Sequence, residues 1–547
     1  MKKYIKYIYA VVIAFTLTSC FKNFDELREN PNYPSHVEPE SLFANVLFSS
    51  TGGGYGIQGQ YFNLTAAGIW SQHFSKIQYL DEDWYEYRPS VMDEIWKRLY
   101  AGITNSGSTP NMAGLHDLEL GLKAARERLA IAEETGDEGQ KKDAQALIGA
   151  MQTTRAYIFL NLADAFGDIP YTEANQTMAL GFEITNFQPV YDNQGDIYKD
   201  LLEELAEAND LLANNGKIDS GTDLIYGGST TKWQRLANSL AARIYIRMSY
   251  TDQAFATQGL TALFGDGNRP VFESNSDDAE LRYLGSQPYM HPFYFNRYID
   301  NRDDFAVSKN TVDMLKENND NRLYIYAQPT PDSDENDPKY VGQENGVPRD
   351  EMPVLSSVSR IGNLFRDQPS GKSFWMSYSE LLFIKAEAAY RLGVPVGAYN
   401  TLVEQGIQAS FEKHYSDIVD YNAPVIPENG VTVGTALEDA QIVIDKVNTS
   451  GKDPMTVIME QKYLALYTNG PEAYAELRRT GLPRIYWVRG ATQYEQGLPN
   501  RFPYPFSEQT TNYTNFSKAS EGIDQTVYGK KVWFAEKSPE IDYIIKD

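Results

Sequence analysis

Cysteine is nearly missing from this chain: Cys20 is the only one in 547 residues. No disulfide can close within the chain, and structural thiolate metal sites are excluded. Stability must come from core burial, which a chain of this length supplies readily. Histidine is scarce as well. His36, His73, His116, His291 and His414 are the whole set, and no two stand at i, i+4, so a zincin motif is missing. No G-x-S-x-G elbow occurs. Basic charge is also short, with 49 Lys and Arg against 74 Asp and Glu and a net charge of −25. Such a chain repels nucleic acid and anionic membrane surfaces. The apolar run from Tyr7 to Leu17 is too short to span a bilayer as a helix.

That short run nevertheless has a meaning. Lys2, Lys3 and Lys6 precede it, and Leu17-Thr18-Ser19-Cys20 follows. The pattern is a secretory signal ending in a bacterial lipobox. Residues 1–19 are expected to be removed and Cys20 acylated; an ordinary signal peptide beside a stray cysteine is the alternative. Cleavage takes away three lysines, so attachment to a membrane must rest on acyl chains rather than on a basic patch. Residues 20–40 then form a lipidated tether, where Pro31, Pro34 and Pro39 break helix.

Beyond the tether the sequence reads as all-α. A helix near Glu40 carries Leu42, Phe43, Val46 and Leu47 on one face. Stripes follow with Leu147, Met151, Ile158 and Leu162; with Ile197, Leu201, Leu205, Ala208 and Leu212; with Trp233, Leu236, Leu240, Ile244 and Met248; and with Leu381, Ile384, Ala388 and Leu392. Pro454 and Pro471 each open a further helix. These segments pair as 143–165 with 193–213, 231–250 with 253–264, 375–392 with 395–411, and 453–468 with 471–480. The pairing resembles tetratricopeptide helix hairpins, although the spacing is irregular. One helical domain over 41–547 is expected, with irregular insertions near 265–307 and 325–374. Residues 482–547 read as loop with short strand-like pieces such as Lys531 to Phe534.

Several segments together are similar to the SusD/RagB lipoproteins, SusD-like branch. They are Asn30-Pro31-Asn32-Tyr33-Pro34, the helix end Ala163 to Tyr171, the run Trp233 to Arg243, the run Glu476 to Pro483, and Arg501-Phe502-Pro503-Tyr504-Pro505 with Glu508, Asn512 and Asn515. Gly522-Ile523-Asp524 and Trp533-Phe534 depart from the usual pattern. The resemblance implies a helical fold on tetratricopeptide-like hairpins and a lipid-anchored outer-membrane protein facing the cell exterior. It implies a lid on a SusC-like TonB-dependent transporter that captures glycan or oligosaccharide, uses no cofactor and does no chemistry. Peptide capture, a structural lid or adaptor without its own ligand, and a surface hydrolase are the competing readings. Arg243, Arg478 and Arg479 are read as structural, pairing with carboxylates or capping carbonyls.

Two aromatic groups are the ligand candidates. One is Tyr79, Trp84, Tyr85 and Tyr87, set among Asp81, Glu82 and Asp83. The other is Tyr289, Phe293, Tyr294, Arg297 and Tyr298 in the first insertion. A pyranose face packs its C–H groups on a π surface while its hydroxyl rim stays polar. The competing role is to staple loops to the helical body. Gly52-Gly53-Gly54 is a loop without a Walker lysine. Asp332, Asp334 and Asn336 open like a calcium loop, but Asp337 and Gln343 stand where glycine and a bidentate glutamate belong. An acidic solvated loop without metal is expected there.

Overall fold

The structure, a computed structural model, describes residues 38–52, 54–102, 112–175, 188–490 and 497–545. The signal peptide, Cys20, the Asn30 to Pro34 motif and nearly all of the tether lie outside the described residues. Helix α1 spans Pro39–Thr51 and buries Phe43, Val46 and Leu47. Pro39 thus opens this helix rather than ending the tether. Its missing N–H is no loss in a first turn, where backbone donors have no intrahelical partner.

The long helices α2 (Pro89–Ala101), α3 (Leu115–Thr135), α4 (Glu138–Phe166), α5 (Gln194–Leu212), α6 (Thr230–Met248) and α7 (Gln253–Gly265) follow in order. From α3 onward each packs on the next, as expected of stacked hairpins. Helix α4 is the hub, touching α3, α5 and α6. Its first amides are satisfied by the Asp137 side chain, which accepts from Gly139 N and Gln140 N. From Ala144 to Phe166 nearly every residue of α4 is buried, the mark of a helix enclosed on all sides. Gly149 lets α5 approach: a Cβ there would lie 2.8 Å from Leu212 Cγ and 3.0 Å from the Ala208 carbonyl oxygen.

Helix α8 (Lys309–Glu317) leads to a second stack of α9 (Tyr378–Leu392), α10 (Tyr399–Asp420), α11 (Ala436–Thr449) and α12 (Pro454–Ala465). Helix α9 joins the stacks by packing on α6. Helices α3 and α11 were not among the periodic segments of the sequence, because both carry broad charged faces. The expected hairpin of α12 with α13 (Gly470–Thr480) is replaced. Helix α12 packs on α9 and α10, whereas α13 packs on the π-helical turn Gln60–Ala67 and on α4. The C-terminal stretch carries two short helices, α14 (Phe506–Thr511) and α15 (Tyr513–Ala519). Lys531 to Phe534 is not a strand; Trp533–Ala535 is a single 3₁₀ turn that buries Phe534.

The irregular insertions supply most of the short strands. Strand β1 (Phe74–Lys76) pairs antiparallel with β3 (Phe305–Val307), and β2 (Ala279–Arg282) with β4 (Lys372–Met376).

Beneath the stacks lies a buried network of charge. Arg243 donates from Nε and Nη2 to Glu380 at 2.7 Å each, and from Nη2 to the Trp375 carbonyl at 2.7 Å. Arg247 pairs with Glu472 at 2.5 Å, also bonds Glu476, and lies 3.3 Å from Asp164. Lys462 reaches Glu476 at 2.9 Å. Arg479 forks onto Glu387 at 2.7 and 2.6 Å and onto Glu476 at 2.9 and 2.6 Å. Burial opposes ionisation of Glu476, but Arg479, Lys462 and Arg247 outweigh it and hold its carboxyl well below the usual range. Glu380 has a single close cation, and there burial wins and raises its pKa. Arg478, one residue from Arg479, instead donates to the carbonyls of Tyr474 and Asn500. The structural reading of the three arginines therefore holds.

Candidate functional site

The β1–β3 pair brings the two aromatic groups to one region. Its register sets Phe74 against Val307 and Lys76 against Phe305. Phe293 closes the underside, with its ring edge-on to Phe74 at 5.1 Å and to Phe305 at 5.6 Å. The chain leaving β1 stays attached, since Ile77 N donates to the Asp304 carbonyl at 2.8 Å.

The turn after β1 is pinned by buried Asp83. Its carboxylate accepts from Ser75 Oγ at 2.6 Å, from Lys76 N at 3.0 Å and from Asn345 Nδ2 at 3.0 Å. Burial pushes the Asp83 pKa up to about 7 against these three donors. The turn holds Tyr79 at φ 56° and Tyr85 at φ 60°. A left-handed backbone is unusual for a bulky residue and must be stabilised by its surroundings. At Tyr79 the outcome is a ring 62% exposed, with the Arg302 guanidinium 4.4 Å from its centroid.

The rest of that group points inward. Trp84 is 8% and Tyr85 1% exposed. Trp84 Nε1 donates to the Val347 carbonyl at 3.0 Å, and Tyr87 Oη to the Gln525 carbonyl at 3.0 Å. Trp84 and Tyr85 have no free ring face for a sugar; they staple the turn to the body, which is the competing role. The apolar area of both rings and their spacing beside Tyr79 made them look alike in sequence.

The second group divides in the same way. Tyr289 is half-buried, with its ring edge-on to Phe48 of α1 at 4.8 Å. Tyr294, Arg297 and Tyr298 lie on the short α-to-π turn Pro292–Ile299. Tyr298 is 47% exposed, and its ring lies 4.6 Å from that of Tyr294. Tyr298 Oη donates to Asp367 at 2.8 Å, and Gln328 Nε2 to the same carboxylate at 3.2 Å. The Arg297 guanidinium lies 5.4 Å from the Tyr298 ring centroid. Arg302, Asp303, Gln328 and Asp367 were missed in the sequence. The latter two lie in the second insertion, and only the fold carries that insertion to the first. The platform is thus the ring pair of half-buried Tyr294 and exposed Tyr298, edged by donors and acceptors, with exposed Tyr79 tied to the same insertion through Arg302.

The hallmark segments themselves form scaffold. Phe502 N donates to the Ala165 carbonyl at 2.8 Å, and Tyr504 Oη to the Asp168 carbonyl at 2.8 Å. Gly167 needs its φ of 82° to end α4 at this junction. Glu508 accepts from Tyr191 at 2.8 Å, and Asn512 donates to the Pro189 carbonyl at 2.8 Å. These motifs, more than 300 residues apart in sequence, are two sides of one joint. A family model for SusD-like proteins, described as starch-binding associating with outer membrane, matches residues 31–505. The chain belongs to the SusD-like family.

Solved structures agree on the fold of this SusD-like protein. A chitin-binding protein is 24% identical, with 91% of this chain and 100% of that chain covered, at a TM-score of 0.73. A SusD homologue from Bacteroides fragilis NCTC 9343 is 24% identical, covering 92% and 100%, at a TM-score of 0.67. A chitin-binding SusD homologue from Flavobacterium johnsoniae is 20% identical, covering 91% and 98%, at a TM-score of 0.67. At these identities the likeness carries the helical fold. No curated protein matched. In the Asp332 to Gln343 stretch the segment 334–337 is exposed, with Asp334 accepting from Asn336 N at 2.8 Å and Asp337 pairing with Lys339 at 2.7 Å, whereas Tyr340 and Gln343 are buried.

Proposed function

We propose that this SusD-like protein captures a glycan at the cell surface, leaves it chemically unchanged, and passes it to a SusC-like TonB-dependent transporter. The observation that carries this reading is the exposed ring of Tyr298, lying near half-buried Tyr294 beside Arg297, Gln328 and Asp367, together with the exposed ring of Tyr79 against Arg302. Tyrosine faces stack on the C–H face of a pyranose, and the polar edge serves its hydroxyls. The family description and the chitin-binding relatives favour a carbohydrate over a peptide. The carboxylates at the platform favour binding over hydrolysis. Asp303 accepts from Arg360 at 3.2 Å and from Arg366 at 3.1 and 3.0 Å, and Asp367 is engaged by Tyr298, Gln328 and Arg366. A glycosidase needs one carboxyl free to donate a proton and another free to attack or to activate water.

Attachment to the outer membrane is assigned to acyl chains on Cys20. None of the described helices is long and apolar enough to cross a membrane, which is consistent with an anchor of that kind.

The test is calorimetric titration of the full chain with chito- and malto-oligosaccharides. The double variant Tyr79→Ala/Tyr298→Ala removes two stacking faces worth roughly 0.5–1.5 kcal/mol each. Affinity is expected to fall about tenfold or more with the melting temperature held. Unchanged affinity would remove the platform as the site.

A further inference from the structure

Three guanidiniums converge on one carboxylate at the edge of the platform. Arg360 and Arg366 hydrogen-bond both oxygens of Asp303. Arg297 comes third, with its Nε 4.0 Å from Asp303 Oδ2, beyond hydrogen-bond reach. Arg297 Nε is buried without a hydrogen-bond partner. Arg302 repeats the pattern: its Nη2 reaches Asp304 at 2.8 Å, while its Nε is buried and unpartnered. An unmet N–H in a half-buried site costs free energy, and more so on a charged group. Both guanidiniums lie against tyrosine rings, Arg297 on Tyr298 and Arg302 on Tyr79.

We propose that the glycan taken by this platform carries an anionic group, a carboxylate or a sulfate ester, and that Arg297 receives it. The inference rests on the platform being the glycan site. A guanidinium presents parallel N–H donors that match a carboxylate or sulfate, and the resulting charge-assisted bonds are about twice as strong as neutral ones. A neutral hydroxyl would satisfy one donor without forming the charge-assisted pair. The electrostatic setting agrees. Arg297, Arg302, Arg360 and Arg366 stand against Asp300, Asp303, Asp304 and Asp367, with Asp81 and buried Asp83 in the Tyr79 turn beyond them, so arginine is concentrated here on a chain of net charge −25. An anionic ligand repelled by the remaining surface meets a lower barrier at this arginine cluster.

The experiment titrates the full chain with length-matched oligosaccharides: hyaluronan for a carboxylate, chondroitin sulfate for a sulfate, and chito-oligosaccharide as the neutral probe. At least one acidic probe is expected to bind about tenfold or more tightly than the neutral one, with an affinity that falls as salt rises. Chondroitin sulfate carries the same uronate carboxylate and adds a sulfate, so equal affinity for the two acidic probes assigns the carboxylate and tighter binding of chondroitin sulfate assigns the sulfate. Arg297→Gln is expected to reduce the acidic-to-neutral ratio to about one, and Arg297→Lys, which keeps the charge but loses the fork, to an intermediate value. A neutral probe that binds as tightly as both acidic ones overturns this inference and leaves the glycan reading standing. A ratio unchanged in Arg297→Gln also overturns it. Absence of binding by every probe overturns both.

Discussion

Replacing Arg243 with methionine probes the buried charge network at its simplest point. Arg243 is 1% and Glu380 0% exposed. Among the described residues Glu380 has no other ion-pair partner. Arg243→Met therefore strands a buried carboxylate and removes the donor to the Trp375 carbonyl. Breaking a buried pair on one side costs about 3–5 kcal/mol, a large share of a total stability of roughly 5–15 kcal/mol. Denaturant unfolding of the purified variant measures it. The cost is expected to depend on pH, and the sign follows from linkage. Burial already raises the folded pKa of Glu380, with Arg243 as the main counterweight; without Arg243 it rises further. Below the unfolded carboxyl pKa, about 4.3, both states hold the proton and the ionisation penalty vanishes. Above it the folded state must keep a proton or bear a buried charge, so the gap to wild type widens from pH 5 to pH 8. The double variant Arg243→Met/Glu380→Met is expected to recover most of the loss, because an apolar pair of similar volume removes the stranded charge. A single-variant cost under about 1 kcal/mol, a gap independent of pH, or strict additivity in the cycle would refute this reasoning.

Asp83 gives a second pH signature. With its folded pKa pushed up to about 7, the folded state binds more protons than the unfolded one between about pH 4 and 7. Its contribution to stability is full below that window and is lost as pH rises through it. Asp83→Asn is expected to remove up to about 1.4 kcal/mol per pH unit of that slope; identical slopes in both proteins would contradict it. Metabolic labelling with palmitate tests the anchor: label is expected on the wild-type chain and lost in Cys20→Ala, and label retained in the variant would contradict attachment at that residue.

The helical stacks were legible because burial on one face imposes a 3.6-residue period, as at Ile197, Leu201 and Leu205. Helix α3 was less legible, since Arg126, Glu127 and Lys123 crowd its apolar positions. The pairing of α12 was misjudged because adjacency in sequence stood in for packing, whereas Lys462 and Glu476 link α12 to α13 by charge rather than by an apolar face. The candidate site was half visible. Aromatic clusters mark the loops that carry the proposed platform, yet composition cannot tell the exposed ring of Tyr79 from the buried ring of Tyr85. That difference is made by backbone conformation and by Asp83, whose partners Ser75 and Asn345 are 270 residues apart. The acidic partners at the platform edge, Asp303 and Asp367, come together where the second insertion joins the first at the Ala306–Arg360 bridge and Arg366 bonds both carboxylates.

The most direct measurement is a crystal structure of the full chain soaked with a binding oligosaccharide, combined with mass analysis of the recovered sugar. The account predicts a pyranose ring lying on the face of Tyr79 or Tyr298, and a ligand recovered at its original length. A sugar seated elsewhere with the platform bare, or one returned in shorter pieces, would contradict it.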